Sequence, residues 1–445
     1  MELYSENNNY KLYKGNMLDM LEVVEANSID SIVCDPPYEL NFMNKGWDNS
    51  GIAFQPDTWK KCYEALKEGG YLLAFGGSRT FHRIACAIED AGFEVRDTIM
   101  WIYGSGFPKS MNIGLAIDKK NGVESKVVGN GKSGTSSRAF QSEETTTAGS
   151  YEIKEAQNKW NGWGTALKPS FEPVIVARKP FKGSLVDNVI KNGVGGINID
   201  ECRVGTEIIK GGTMPKMNSQ SDGINLYNFG KKDAERLERQ DSIGRFPANT
   251  ILTYDEKDFD EVCGGFPNTK SAKNGIRQSN SENVNCYGKG IGIKAGMNNG
   301  EYGDSGSAAR YFYCAKASKK DRDEGLDIEE SVITDGRKKS IDNAFNRGET
   351  LRKNTHPTVK PTELMQYLVR LVTPNGGTIL DPFNGSGSTG KAVMYENKER
   401  NKDYKYIGID LSEEYLEISK SRIEYVCKQV EEEEEKEPTI FDFVI

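Results

Sequence analysis

A short apolar run, Ser31-Ile32-Val33, leads into Cys34-Asp35-Pro36-Pro37-Tyr38, and the two consecutive prolines limit what this stretch can be. Proline has no N–H to give to a ladder, so a strand entering the pair must stop there. The run lacks polar alternation and reads as a parallel strand buried on both faces. It is expected to deliver an acid, a rigid turn and an aromatic ring to its carboxyl end, the edge where ligands bind in open α/β sheets. Proline fixes φ, so the carbonyls of Pro36 and Pro37 can be aimed outward as acceptors. With the Asp35 carboxylate and the flat face of Tyr38, the turn suits an amino group on a planar ring. A plain strand–turn with an incidental acid and tyrosine is the alternative at this point.

Strands and helices alternate around that turn. Tyr10 to Tyr13 reads as a short strand, Met17 to Ala26 as a helix, and Asn41 to Gln55 as an Asn/Gly-rich active-site loop. Asp57 to Lys67 reads as a helix ended by Gly69-Gly70, followed by a buried strand, Tyr71 to Phe75. Ser78 is placed to cap the next helix, which runs to Ala91. Thr98 to Tyr103 and Glu172 to Arg178 read as an antiparallel pair of strands, and Asn121 to Ser150 as a long surface loop. From Phe181 to about Asn354 glycines are frequent and apolar runs short, which predicts a separate irregular domain. Order returns with a helix from Pro361 to Leu371, a strand at Thr378-Ile379-Leu380, a helix, a strand from Tyr404 to Ile409 and a helix from Glu413 to Val426.

The composition is 36% hydrophobic and 28% charged, that of a soluble globular chain. No apolar stretch approaches the roughly 18–20 residues that span a bilayer, and the first residues lack the features of a signal peptide. Eight cysteines without a C-x-x-C pair and two histidines, His82 and His356, argue against a zinc site and a disulfide scaffold, and for a reducing cytoplasm. Cys34 reads as strand filling, His82 as a structural or exposed helix residue. The net charge of −8 conceals an uneven distribution. Glu431 to Glu437 holds six glutamates, whereas Lys270 to Lys320 carries nine basic residues (Lys270, Lys273, Arg277, Lys289, Lys294, Arg310, Lys316, Lys319, Lys320) against three acidic ones. A local basic face of that kind is enough for phosphate contacts, though a solvated loop has the same composition.

A second motif lies near the carboxyl end. The strand at Thr378 enters Asp381-Pro382-Phe383-Asn384-Gly385-Ser386-Gly387, and a helix follows. Glycines there let a ligand approach the backbone and the helix N-terminus. Asp410 ends the next strand, where an acid hydrogen-bonds ribose hydroxyls. Asp381 suits a cationic ligand better than a pyrophosphate, which points to a nucleoside carrying an amino acid and a positive charge, such as S-adenosylmethionine. A phosphate-binding or purely structural glycine turn stays open.

With both motifs in view, the sequence resembles the amino-group DNA methyltransferases, which methylate adenine N6 or cytosine N4, in the permuted β-type order found in bacteria and phages. The resemblance rests on Gly15 through Leu18 and on Asp35-Pro36-Pro37-Tyr38. It extends to Thr165 through Pro169 with Glu172-Pro173, Gly244 through Asn249, Tyr313 through Ser318, His356 through Pro361, and the Phe383-x-Gly385-x-Gly387 turn. It implies an α/β fold: a seven-stranded, mostly parallel, Rossmann-like sheet, circularly permuted, with an inserted irregular target-recognition domain. The implied organisation is a catalytic half over 1–180, the recognition domain over 181–354, an S-adenosylmethionine-binding half over 355–430 and an acidic tail over 431–445.

The resemblance further implies that a base flips out of double-stranded DNA into the pocket. Asp35 and the Pro36 carbonyl would hold its amine, Pro37 would stiffen the turn and Tyr38 would stack on the ring. Asn16, Asp35, Lys360, Asp381, Phe383, Gly385, Ser386, Gly387 and Asp410 would bind the methyl donor, with Lys360 at its carboxylate and His356 positioning nearby. Asn16 departs from the usual Asp. No metal is required, no membrane is involved, and a cognate restriction endonuclease is an open partner. Adenine N6 is the favoured target. Cytosine N4, RNA, a protein glutamine amide and a catalytically silent DNA-binding protein are the alternatives.

Overall fold

The computed structural model describes residues 1–40, 46–103, 110–132, 150–209, 213–215, 236–238, 241–254, 266, 268–270, 284–285, 288–289, 305–316, 319–327, 331–334 and 349–434. One large sheet dominates them. Its strands are β1 (Glu2–Glu6), β2 (Tyr10–Lys14), β3 (Ile29–Cys34), β4 (Leu66–Phe75), β5 (Glu94–Tyr103), β6 (Phe171–Arg178), β7 (Thr250–Tyr254), β8 (Tyr313–Lys316), β9 (Thr378–Asp381) and β10 (Lys405–Asp410). The order across the sheet is β1-β2-β10-β9-β3-β4-β6-β5-β7-β8. Edge strand β1 and internal strand β6 run antiparallel to their neighbours, and every other pairing is parallel.

The central strands are apolar on both faces because both faces are covered. Val33, Leu73, Phe75, Val174, Val176 and Ile379 point into one core, packed under α3 (Thr362–Val372), α4 (Ser388–Arg400) and α5 (Glu413–Glu434). Their alternating neighbours Ile32, Cys34, Leu72, Ala74, Ile175, Ala177 and Leu380 point into the other, under α1 (Pro56–Ala65) and α2 (Phe81–Asp90). The period of two along each strand thus sorts one apolar run into two cores.

Several expectations change. The sheet has ten strands among the described residues rather than seven. Edge strand β1 doubles back on β2, and β7 and β8, from the segment expected to stand apart, extend the sheet beyond β5. Met17–Glu22 is a short 3₁₀ helix capped by the Asn16 side chain. Helix α1 ends at Ala65, and Gly69-Gly70 lie inside β4, where the register with β3 shifts. Gly69 needs its φ of +85°, and a Cβ on Gly70 would sit 2.9 Å from the Asp30 carbonyl. Thr80, not Ser78, precedes α2. Part of the expected 121–150 loop is a hairpin, Lys126–Lys132 with Ser150–Glu155. Of the basic cluster, Lys273, Arg277 and Lys294 lie outside the described residues.

Helices α3 and α4 are joined by a buried ion pair. Arg370 donates to both carboxylate oxygens of Glu396, at 3.0 and 2.7 Å, and the Glu396 side chain is fully buried. Removing one partner of such a pair strands the other charge. Glu396→Ala is expected to cost about 3–5 kcal/mol of stability, measured by denaturant unfolding, and an apolar double replacement of Arg370 and Glu396 should recover most of it.

Candidate active site

Strand β3 carries the chain to the carboxyl edge of the sheet, and the proline pair leaves Asp35 there. Lys360 donates to Asp35 Oδ2 at 2.5 Å. Asp35 Oδ1 is shielded from water and has no hydrogen-bond partner. The Tyr38 hydroxyl donates to Glu172 Oε2 at 2.6 Å, and its carbonyl accepts from the Thr80 hydroxyl at 2.8 Å. The Tyr103 hydroxyl donates to the other oxygen of Glu172 at 3.2 Å. Beyond the turn, Glu39 adopts a φ of +55°, held by Asp48, which accepts from the Glu39 and Leu40 amides at 2.9 and 3.2 Å.

Lys360 is 6% exposed. Its ammonium is 3.5 Å from Glu172 Oε2 and 4.9, 5.2 and 6.0 Å from the ring centres of Phe75, Tyr38 and Trp101. This is a cation box of two carboxylates and three aromatic faces. Burial raises the Asp35 carboxyl pKa; Lys360 and, more weakly, the nearby Tyr38 hydroxyl oppose the shift and Glu172 adds to it. Burial alone would lower the Lys360 pKa, but Asp35 and Glu172 outweigh it and the net shift is upward. Burial also raises the Cys34 thiol well above its usual value, consistent with strand filling rather than a nucleophile.

The second turn is built at the end of β9. Asp381 accepts from the Phe383 amide at 3.0 Å and from the Thr389 hydroxyl of α4 at 2.6 Å. Asp410, ending β10, accepts from the Gly385 and Ser412 amides at 2.7 and 2.8 Å. Gly387 has a φ of +72°, and a Cβ there would fall 2.2 Å from the Ser419 hydroxyl. Gly385 has a φ of +50°, and its Cβ would meet His356 Nε2 at 2.9 Å. Both positions therefore need glycine. Asn16 follows β2, the neighbour of β10, and the Gly15 amide donates to the Asp410 carbonyl at 3.0 Å.

The fold thus gathers Asn16, Gly385 and Asp410 around the second turn and Asp35, Tyr38 and Lys360 around the first. Thr389, whose hydroxyl reaches the Val33 carbonyl at 3.4 Å, ties the two turns together. Several of the expected site residues also make contacts within the chain. Both Asp381 oxygens accept hydrogen bonds, one from the turn and one from Thr389 of α4. Ser386 is buried, its carbonyl and hydroxyl accepting from Arg422 at 2.7 and 3.3 Å. Lys360 pairs with two carboxylates of its own chain. Asn16 uses its side-chain oxygen on the Leu18 amide at 3.0 Å, and Phe383, partly buried, lies 6.1 Å from Trp59.

His356 packs edge-on against Tyr415, 4.6 Å between ring centres, and burial followed by the cations Lys360, Arg322 and Arg422 lowers its pKa to about 3. It is a neutral packing residue, and His82 is exposed on α2. Sequence reasoning alone does not single out Glu172 as a functional residue; a glutamate in the otherwise apolar run Phe171 to Ala177 is the signal that could have found it. Among the described residues no cluster of His, Cys, Asp or Glu could hold a metal ion, and no helix is long and apolar enough to cross a membrane.

A family described as DNA methylase matches residues 29–421 of this chain. The type II methyltransferase M.HindIII of Haemophilus influenzae is 25% identical over 231 residues, 42% of this chain and 64% of its own length. M2.DpnII of Streptococcus pneumoniae is 44% identical over 69 residues, 16% of this chain and 24% of its own. The chain thus spans less than two thirds of either relative. Among solved structures, the PvuII DNA methyltransferase (cytosine-N4-specific) aligns over 95% of this chain and 92% of its own, with 13% identity and a TM-score of 0.39.

Burial raises Asp381 from the ordinary carboxylate value to about 7, and Asp410 to about 6. The folded state therefore holds the Asp381 proton more tightly than the unfolded chain does. The stability this contributes is complete below the unfolded value of about 4 and is lost as pH rises through about 7. Unfolding free energies measured from pH 4 to 8 should show the wild-type protein losing stability relative to Asp381→Asn across that window.

Proposed function

The chain belongs to the DNA methylase family, and from that premise we propose that it transfers a methyl group from S-adenosylmethionine to adenine N6 of double-stranded DNA. The observation that carries this reading is Asp35, whose Oδ1 is buried without a hydrogen-bond partner, on the same turn as Tyr38. A buried carboxylate oxygen without a donor costs about 1–3 kcal/mol, and sites that keep one have a use for it. An exocyclic amine is the matching donor. Accepting its N–H bonds at Asp35 and at the Pro36 carbonyl localises the nitrogen lone pair, which makes the amine nucleophilic. A base cannot reach this corner while stacked in a duplex, so it is flipped out. Tyr38 then offers a stacking face worth about 1–3 kcal/mol, with its hydroxyl held by Glu172.

The residues at the second turn fit the methyl donor. Gly385 and Gly387 hold this turn in left-handed conformations, φ +50° and +72°, and let it pack against His356 and Ser419 where a Cβ would not fit. Asp410 and Asn16 flank it, and Asp410, whose pKa is raised by burial to about 6, gains from hydroxyl donors such as those of a ribose. S-adenosylmethionine, when bound, supplies a methyl group already activated on a sulfonium. The chain's own contribution is then alignment of amine and methyl group, a large share of the rate in reactions of this kind. The basic residues between Lys270 and Lys320 supply phosphate contacts. A restriction endonuclease of matching specificity is the counterpart to seek.

Asp35→Ala is expected to abolish methyl transfer to DNA while S-adenosylmethionine binding, followed by calorimetry, stays within a few-fold. Normal transfer by this variant would overturn the proposal. DNA from cells expressing the protein, sequenced with a modification-sensitive read-out, should show N6-methyladenine at a defined site; N4-methylcytosine there would move the target to cytosine, and unmodified DNA would point to a binding protein. Neutralising the basic residues from Lys270 to Lys320 should weaken DNA binding across sequences. The salt slope should fall by about one for each phosphate that is no longer neutralised.

A further inference from the structure

We propose that Lys360 is a positioning residue for methyl transfer, holding Asp35 as a charged acceptor, and that Glu172 is its second anchor and the group that fixes the Tyr38 ring. This inference rests on the function proposed above. It differs from the role that the sequence resemblance gives Lys360, a partner for the donor's carboxylate. The Lys360 ammonium, 2.5 Å from Asp35 Oδ2 and 3.5 Å from Glu172 Oε2, already has two carboxylates and lies within 6.0 Å of three aromatic ring centres. Lending it to an external carboxylate would leave two acids facing each other in a buried site.

The two oxygens of Asp35 divide the work. Oδ2 is spent on Lys360, whose charge favours the ionised carboxyl, and Oδ1 stays open for the target amine. A protonated Asp35 would lose acceptor strength where the amine needs it. Glu172 acts in two ways. Its oxygens take the hydroxyls of Tyr38 and Tyr103, which sets the plane of the Tyr38 ring. Its charge disfavours ionisation of Asp35, which makes the Lys360 cation necessary. The charged and titratable groups around Asp35 are Lys360 before α3, Glu172 on β6, Tyr38 on the same turn, Cys34 on β3 and Asp381 on β9. Lys360 is the cation among them.

The test is the pH dependence of kcat/KM for methyl transfer, whose acid limb reports ionisation of Asp35. Lys360→Gln should move that limb up by about 1–3 pH units, the effect of losing an opposite charge at this range. Lys360→Arg should bring it back toward wild type. Glu172→Gln should move it down, because a like charge is lost while the amide oxygen still accepts from Tyr38. S-adenosylmethionine affinity of Lys360→Gln should stay within a few-fold. An unmoved limb in Lys360→Gln overturns the inference, as does a loss of donor binding of tenfold or more with the limb in place. A limb belonging to Asp381 gives the first of these results. If Lys360→Gln does not fold, the downward shift in Glu172→Gln decides. The Asp35 carboxyl can also be titrated by ¹³C NMR in protein labelled at aspartate, with Asp35→Asn giving the assignment. The same shifts are expected there without turnover, so a wild-type protein that methylates nothing would defeat the function and not the hold of Lys360 on Asp35.

Discussion

A buried ammonium joins segments from three distant parts of this chain. Lys360 and Asp35 are 325 positions apart in the chain, yet 2.5 Å apart in space. The third member, Glu172, comes from the strand between β4 and β5. None of these charges would be tolerated alone where it sits, since a buried ion without its partner loses its hydration for nothing. The cluster can assemble only when β3, β6 and the segment entering α3 have found their places. The central sheet imposes that condition: β9 and β10, last in the chain, lie between β2 and β3.

The carboxyl end of the segment bearing the basic residues is bound to the same structure. In its short helix Lys319–Asp323, the Asp321 carboxylate accepts from Lys391 of α4 at 2.7 Å, and Glu324 lies 2.8 Å from the same ammonium. The Asp321 side chain also accepts from the Thr362 amide at 2.8 Å, at the first turn of α3. Lys391 is fully buried. The helix Lys319–Asp323 thus contacts both α3 and α4.

The parts of this arrangement that were legible in the sequence are those set by local chemistry. Apolar runs without alternation marked β3, β4 and β9. Two prolines marked the end of β3, and glycines that cannot carry a Cβ marked the turn before α4. What escaped depends on distant partners. Gly69-Gly70 look like a helix stop, yet the approach of the Asp30 carbonyl and a register shift put them in a strand. Thr250–Tyr254 is too short, in too glycine-rich a context, to announce itself as part of the main sheet. Asp381 and Ser386 lie in a ligand-binding pattern, but Thr389 and Arg422, which decide what those side chains do, are fixed only by packing. Lys360 and Asp35 were each visible as site residues, but their pairing was not, because nothing local to His356-Pro357-Thr358-Val359-Lys360 points to an acid 325 positions earlier.

The position of the site follows from the sheet order. Strand β9 is followed by α4 and then by β10 on one side, while β3 is followed by α1 and then by β4 on the other. The two connecting helices pack on opposite faces: Ala392, Val393 and Met394 of α4 belong to one core, and Trp59, Cys62 and Ala65 of α1 to the other. Neighbouring strands whose connections depart in opposite directions make a topological switch point, the place where ligands bind in open α/β sheets. Asp381 and Asp35 close the two strands that border it. Their carboxyls are both shifted upward chiefly by burial, and the charge of Asp35 adds to the shift of Asp381. The fold answers the two acids differently. Asp381 receives a hydroxyl and an amide and becomes part of the turn, whereas Asp35 receives a cation on one oxygen and nothing on the other. That asymmetry, in two acids set side by side by the same sheet, separates the turn that holds its shape from the turn with an acceptor left to offer.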